Sequence, residues 1–527
     1  MVLVACDSPS GSAEVAGAEF RAITGAENNP ADTSMGEADT ALDRHSPAAF
    51  EDGIEAPSGS GRPGPREISN IVASQDALRA NARGASDYLW QWGQFLDHDL
   101  SLSREREPHE SLPIPVPPGD PIFDRSRSGA VELPFNRSEY DEKGDELTAR
   151  QQMNSLSSYI DASNVYGSDP ERARALRTLD GTGRMRVSAG DLLPFNTDGL
   201  PNAPSAEDAS LFLAGDIRAN EQLGLTAMHV LFVREHNRLV AQLAAADPTL
   251  DGETLYQRAR AIVGAKMQVI TVREFLPVLL GADALSPYTG YKPEENARLM
   301  NEFTTAAYRF GHSLVSPRLR RLGPRGQSIP AGDLSLTEAF FAPQRLIDEG
   351  GIEPLLRGLA AQPAQELDPF VVDPLRNALF GPPDNGGHDL VSLNIQRGRD
   401  HGLPDYNTMR ESFGLPARAT IAEISSDPEI RRRLTQAYGD VSLIDPWVGG
   451  LAEDHVPGAM LGELFFTIVR QQFERLRDGD RFWYENTALA MFSAADRAEI
   501  EATTLAQVIR VNSDIDVELP DNVFLLN

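Results

Sequence analysis

Cysteine is almost absent: Cys6 is the single one in 527 residues. That excludes a disulfide within the chain and any cysteine-held zinc or iron–sulfur site. No run of about 18 apolar residues occurs, so no membrane-spanning helix is expected. Positive charge is scarce, with 48 Lys and Arg against 78 Asp and Glu, a net charge of −30 at pH 7. The basic residues form no run or patch, so nucleic acid and anionic membrane surfaces are poor partners. Strand-like alternation is missing apart from short hairpins expected near residues 183–188, and no internal repeat is present. What the chain does hold is core material, including 22 Phe and four Trp, enough for a large globular interior.

Cys6 closes the string LVAC and is followed by a Ser, Gly and Ala-rich stretch. This is similar to a lipoprotein cleavage box, yet the segment before it is short for a signal peptide and lacks a basic start. Two readings stay open, a start further upstream or a chance match. Under either, residues 1–44 are expected to be a disordered leader outside the fold, and residues 45–527 to form one large domain.

The domain is organised around QWGQFLDHDL, residues 91–100. Leu78, Ala82, Ala85 and Leu89 before it approach a 3.6-residue repeat, which predicts a helix running through residues 76–100. Gln94 and His98, four residues apart, then share a face, and Asp97 and Asp99 flank the histidine. Carboxylates and an imidazole inside an otherwise apolar helix are costly to bury without partners, so a metal or cofactor is expected beside them. LPIPVPPGDP, residues 112–121, reads as a stiff strap, because each proline fixes its own φ and restricts its predecessor. Asp169-Pro170 supplies a helix start. Further helices are expected over about 221–245, 254–280, 294–315, 419–438 and 458–477. The fold class is mainly α with long ordered connections.

Several clusters carry candidate chemistry. In SLSSYIDAS, residues 155–163, Ser157, Asp161 and Ser163 alternate with the carbonyl of Tyr159, a pattern able to gather oxygens round one hard cation such as calcium, with Asp99 adding a carboxylate. Ser and Asp clusters are more often turns. Arg218 and Glu221, three apart, place a cation and a carboxylate on one helix face, though a capping pair has the same spacing. His312 lies in an apolar segment beside Gly311, where a flat group has room to approach, although a lone helical histidine is more often a satisfied core residue. SLNIQRGRDHGLPDYN, residues 392–407, gathers Asn394, Arg397, Arg399, Asp400 and His401.

Taken together, WGQFLDHDL, SYIDASNVYGS, REHNRL, YRFGH, LNIQRGRDHGLPDYN and LRDGDRFWYEN, in this order, resemble the animal-type haem peroxidases of the peroxidase–cyclooxygenase superfamily over about residues 46–515. The resemblance implies haem b between two core helices, with His312 as proximal iron ligand and Asn394 holding its other ring N–H. It implies His98 as the distal base toward hydrogen peroxide, Arg218 as stabiliser of developing negative charge, and Gln94 as a residue ordering distal water or a small anion. Arg309 would pair with a haem propionate, assisted by Arg397. Asp97 and Glu221 stand at positions that become ester-linked to haem, and Asp99, Ser157, Tyr159, Asp161 and Ser163 map onto a calcium site. Gln222 replaces a methionine that forms a further haem link in a chloride-oxidising member, so iodide, bromide, thiocyanate or phenols are the expected donors. The missing disulfides of mammalian members point to a minimal bacterial member, and the lipobox-like start and calcium loop to a secreted or otherwise extracytoplasmic protein. Two alternatives share the fold: a fatty-acid dioxygenase or cyclooxygenase-like enzyme, and a non-catalytic adhesion protein. Against the first, the position three before His312 holds Arg309 rather than a tyrosine. Against the second, His98, Arg218 and His312 are all present. His229, His236 and His401 read as core or capping residues.

Overall fold

The computed structural model describes residues 19–142, 148–383 and 386–526, so Cys6 lies outside the described residues. The chain is mainly helical, as expected. Six segments place the cavity: α1 (Tyr88–Leu100), α2 (Leu223–Ala246), α3 (Gly252–Ile270), α4 (Gly311–Leu314), α5 (Leu390–Asp400) and α6 (Glu463–Asp478). Among the described residues, strands are three two-residue antiparallel pairs, β1 (Thr40–Ala41) with β4 (Met153–Asn154), β2 (Ile114–Pro115) with β3 (Glu132–Leu133), and β5 (Arg318–Leu319) with β6 (Leu334–Ser335), and isolated bridges such as Arg177 with Met185 and Ser188 with Leu192 flank the expected 183–188 hairpin. Among the described residues, no helix is long and apolar enough to cross a membrane.

α1 is buried nearly all round, and only Gln94 and Asp97 retain partial exposure. A helix of this kind belongs in the middle of a core rather than on its surface. Trp92 and Phe95 pack against Phe232 of α2, with ring centroids 5.8 and 5.1 Å away. α3 follows α2 after a short turn and packs back along it. Its expected continuation to residue 280 passes through a π-turn at Thr271–Phe275 before a last helix at Leu276–Leu280. Pro277 accounts for the interruption, since proline supplies no N–H to the helical ladder.

Four expectations need correction. Residues 76–87 are not helical: the backbone N–H groups of Asn81, Ser86 and Asp87 donate to Ala364, Phe524 and Gln362, Gly84 has φ +72°, and Leu78 is 64% exposed. Lateral pairing to two distant segments replaces helical bonding there. The expected helix over 294–315 is three short pieces, Asn301–Thr305, a 3₁₀ turn at Ala307–Phe310 and α4, separated where Ala306 leaves helical dihedrals. The helix expected over 419–438 starts at Pro428, where Asp427 accepts from the N–H of Glu429 at 2.7 Å. Finally, residues 19–44 are part of the packed structure. Asn28 is fully buried, Thr40–Ala41 pair with β4, and Arg21 grips both carboxylate oxygens of Asp480 at 2.9 and 2.8 Å. The expected Asp169 cap is present, accepting from Arg172 N at 2.8 Å. The proline-rich strap forms β2 and seats Ile114 and Val116 on Leu133 and Phe135, a small cluster apart from the main core.

Glu274, in the π-turn, is buried and accepts from the N–H of Leu505 at 2.7 Å. Burial pushes its carboxyl up to about 7, with the Leu505 bond opposing. The folded state therefore holds a proton that the unfolded chain releases above its ordinary carboxyl value, so stability falls as pH rises between about 4.5 and 7. Glu274→Gln keeps the acceptor and removes the charge. Thermal unfolding from pH 4 to 8 is expected to show the variant gaining on the parent by on the order of 2 kcal/mol at the upper end, and parallel curves would refute the assignment.

Candidate functional site

A cavity of about 570 Å³ lies between α1 and the segment ending in α4. α1 presents Gln94, Asp97 and His98 to it, the loop before α2 presents Arg218 and Glu221, and Arg309 and His312 line it from the other side. With Arg397, eight of the site residues expected from the sequence thus share one chamber. The break in the 301–314 segment is what delivers Arg309 and His312. Arg309 lies in the 3₁₀ turn and His312 in the short helix that follows it directly, and both reach Asn394 of α5.

Asn394 donates from its amide nitrogen to His312 Nδ1 at 2.8 Å and accepts from Arg309 Nη1 at 3.0 Å. The sequence reading had Asn394 accepting from the histidine. Here Arg309, which carries donors only, takes the amide oxygen instead. Burial, with Arg309 adding to it, pulls His312 down to about 3, so its imidazole is neutral. Arg309 is itself pushed down to about 10 by burial, with Arg397 contributing. Its hydrogen bonds run to Asn394 and to the carbonyl of Thr304 at 3.0 Å, with no carboxylate partner among the described residues. A half-buried cation without a bonded anion is what a bound group carrying carboxylates would complete. Arg397 also lines the cavity, but Nη1 is spent on Asp400 at 3.0 Å, Ser138 Oγ at 2.7 Å and the Asn136 carbonyl at 3.0 Å.

On the opposite wall, His98 is 3% exposed, and burial, followed by the charge of Arg218, holds it well below its ordinary value. Arg218 reaches Asp97 at 3.4 Å and the Ser101 carbonyl at 2.8 Å. Its principal partner is Asp216, which the sequence reading missed: Nε and Nη2 donate to the two carboxylate oxygens at 2.9 Å each. The signal was present in GDIR, residues 215–218, where a carboxylate sits two residues from the arginine, but such pairs are common on surfaces. Burial works against the charge of Asp216, yet Arg218 and His98 outweigh it and hold the carboxyl far below the usual range. Glu221 is pushed up to about 7 by burial against the pull of Arg218, and burial likewise raises Asp97.

Gln94 is tied at both ends: Nε2 donates to Glu221 at 3.0 Å, and Oε1 accepts from Gln222 at 3.1 Å. Gln222 also donates to Gln91 at 2.7 Å and accepts from Gly224 N at 2.6 Å. A Cβ at Gly224 would lie 2.5 Å from Gln91 Oε1, so glycine leaves room for this row of amides.

The oxygen-rich loop lies on the far side of α1. Asp99 accepts from the N–H groups of Asp161 at 3.1 Å and Ala162 at 3.2 Å, and its carbonyl accepts from Ser163 Oγ at 2.7 Å. Ser157 Oγ donates to Asp161 at 2.8 Å. Burial and the neighbouring Asp161 push Asp99 up to about 8, and burial raises Asp161 as well, with Arg21 opposing. Two carboxylates buried side by side fit a hard cation. No group of three or more His, Cys, Asp or Glu is gathered for a metal among the described residues, so the remaining oxygens would come from Ser157, Ser163 and the Tyr159 carbonyl. His401 and His236 are structural: His401 Nε2 meets Ser138 Oγ at 2.8 Å and His236 Nδ1 meets the Tyr166 hydroxyl at 2.9 Å.

Residues 20–524 match the family model for animal haem peroxidase. Among known proteins, the chain is 39% identical to thyroid peroxidase of Sus scrofa over 94% of its length and 59% of that protein's. It is 39% identical to peroxinectin A of Dictyostelium discoideum over 96% of both chains. Against peroxidasin of Drosophila melanogaster it is 38% identical and spans 36% of that protein. In structure it superposes on peroxidase A from Dictyostelium discoideum with a TM-score of 0.89 at 37% identity, covering 96% of this chain and 99% of that one. A fatty acid alpha-dioxygenase of Arabidopsis thaliana gives 0.82 over 96% of this chain and 83% of that one at 21% identity, a likeness of fold alone.

Replacing Asn394 by Leu leaves His312 Nδ1 and Arg309 Nη1 without their partners, at about 1–3 kcal/mol each. Urea unfolding of cofactor-free protein is expected to show a loss of roughly 2–4 kcal/mol, and an unchanged midpoint would remove Asn394 as the shared anchor.

Proposed function

Because the chain belongs to the animal haem peroxidase family, we propose that it is a haem-dependent enzyme that reduces hydrogen peroxide and oxidises small donors. The observation that carries this reading is the pairing across one cavity: a neutral imidazole backed by an amide on one wall, and a neutral imidazole beside an arginine on the other. His312 would hold the iron through Nε2, which a half-turn of the Asn394 amide and transfer of the ring proton to Nδ1 leave free as a lone-pair donor. Arg309 would meet a haem carboxylate, with Arg397 as a weaker candidate because Asp400 already holds it. Haem, when bound, supplies the two electrons that split the peroxide O–O bond.

The protein's own part is proton handling and charge. His98, kept neutral by burial, takes a proton from hydrogen peroxide and returns it to the oxygen that leaves as water. The Arg218 guanidinium stabilises the negative charge that develops on that oxygen, and Gln94 is placed to order water beside it. Asp97 and Glu221 are the carboxylates available for ester links. Iodide, bromide, thiocyanate and phenols are the proposed donors. Asp99, Ser157, Tyr159, Asp161 and Ser163 would hold calcium, and since Asp99 also caps the loop from the helix that carries His98, the ion would brace the distal wall. An extracytoplasmic location with lipid attachment at Cys6 belongs to the same proposal, supported by the LVAC string and the calcium-type loop. The oxygenase reading has less support: the position three before His312 is Arg309, and it is bonded to Asn394.

Protein reconstituted with haem and calcium is expected to shift its Soret band within milliseconds of one equivalent of hydrogen peroxide, and His98→Ala to slow that shift by about 10²–10⁴-fold. Haem binding without a peroxide response would overturn the peroxidase reading. Calcium chelation is expected to lower the melting temperature of the parent and not that of Asp161→Asn, and an equal response in both would remove calcium from this loop.

A further inference from the structure

We infer that Asp216 is the positioning residue of the distal base, setting which ring nitrogen of His98 carries the proton while also gripping Arg218. This rests on the proposed role of His98. Asp216 Oδ1 lies 3.5 Å from His98 Nδ1, and Nδ1 has no hydrogen-bond partner among the described residues. The same carboxylate receives three donors from Arg218: the backbone N–H at 2.8 Å, and Nε and Nη2 at 2.9 Å. Its side chain has no solvent exposure, so water does not screen its charge.

A base facing the cavity needs a lone pair on the cavity side. Neutral imidazole has one N–H, and the atom that bears it follows the nearest acceptor. Two carboxylates compete for His98: Asp216 at Nδ1, and Glu221 at 4.0 Å from Nε2. Glu221 is the weaker draw. It is further away, it already accepts from Gln94, and burial leaves its carboxyl partly protonated near neutral pH. Asp216 is charged, because Arg218, bonded to both of its oxygens, holds it ionised. The proton therefore sits on Nδ1 and the lone pair on Nε2. When Nε2 takes a proton from peroxide, both nitrogens carry hydrogen and the ring turns positive between two carboxylates. Asp216 stabilises that cation, and no proton passes to Asp216 itself.

The other polar groups round the ring do not substitute for it. His229 of α2 is buried, its ring centroid is 6.5 Å from that of His98, and burial holds it down to about 4, so it is neutral and offers no charge. Arg218 is a cation and repels a protonated ring. Among the described residues, Asp216 is thus the fixed negative charge that lies against both residues proposed to act on peroxide.

The test is a double-mutant cycle on haem-loaded protein: parent, Asp216→Asn, His98→Gln and the two together. Two rates are read, the Soret shift with hydrogen peroxide and the association of hydrogen cyanide with ferric haem, a binding step that also needs a distal proton acceptor. Asparagine preserves shape and can still accept from Arg218, but it lacks the charge that holds Nδ1–H. Asp216→Asn is expected to slow both rates by about 10–100-fold, with haem content unchanged. In the His98→Gln background the same substitution is expected to add less than threefold, since its effect passes through the imidazole. Asp216→Glu, which restores the charge, is expected to recover most of the loss. Equal, additive losses in the two backgrounds would overturn the inference in favour of action through Arg218 alone. An Asp216→Asn protein that no longer takes up haem would overturn it as well, making the carboxylate a requirement of the pocket and not of His98. A His98→Gln variant as fast as the parent would instead fell the proposed base itself, which separates the two failures.

Discussion

The structure depends on burying a helix that is not wholly apolar. α1 is enclosed on nearly every side, and the groups it cannot satisfy internally are distributed by direction. Asp99 turns toward the 157–163 loop and is covered by backbone N–H groups, while Gln94, Asp97 and His98 turn into the cavity. Isolated buried charge is expensive in a low-dielectric interior, whereas paired and hydrogen-bonded charge is tolerated. Each ionic group on the distal wall accordingly has a counterpart: Arg218 with Asp216, Asp97 with Ser101 and Arg218, Glu221 with Gln94. The proximal wall leaves one group unbalanced, Arg309. That asymmetry is why the chamber reads as a receptacle for a group bringing carboxylates on one side and accepting a nitrogen ligand from the same segment.

The helix through His98 was legible from residue types, and so was the meeting of Gln94, Asp97, Arg218, Glu221, Arg309 and His312, because ordered strings carried them. Less legible was anything set by competition between distant segments. Residues 76–87 have a helical pattern of apolar positions, but their N–H groups go to Ala364, Phe524 and Gln362, and no local periodicity encodes an offer from 280 or 440 residues away. The 294–315 stretch reads as one helix because its composition suits one. The 3₁₀ turn at Ala307–Phe310 is a choice made by packing, and it carries Arg309 straight into the short helix that bears His312. Asp216 escaped notice for a different reason: acceptor and donor two residues apart look like surface pairing until burial is known.

Residues 19–44 show the opposite case, where composition misled. The stretch is polar and small, as disordered leaders are, yet polarity here serves specific partners. Asn28 Nδ2 and Arg21 both hold Asp480, and Arg21 Nε lies 3.9 Å from Asp161. Asp480 in turn lies in the RDGDRFWYEN string, whose Phe482 and Gln268 contacts make it a packing element.

The junction between Arg21 and Asp480 joins positions 459 residues apart. A growing chain leaves the ribosome from its N-terminus, so Arg21 is available long before its acceptor exists. The loop bearing Asp161 must therefore emerge and settle against α1 while the guanidinium beside it has no second anchor. Closing a contact of such sequence separation is entropically slow. A segment made early in synthesis is thus among the last to be fastened, and it fastens next to the two buried carboxylates.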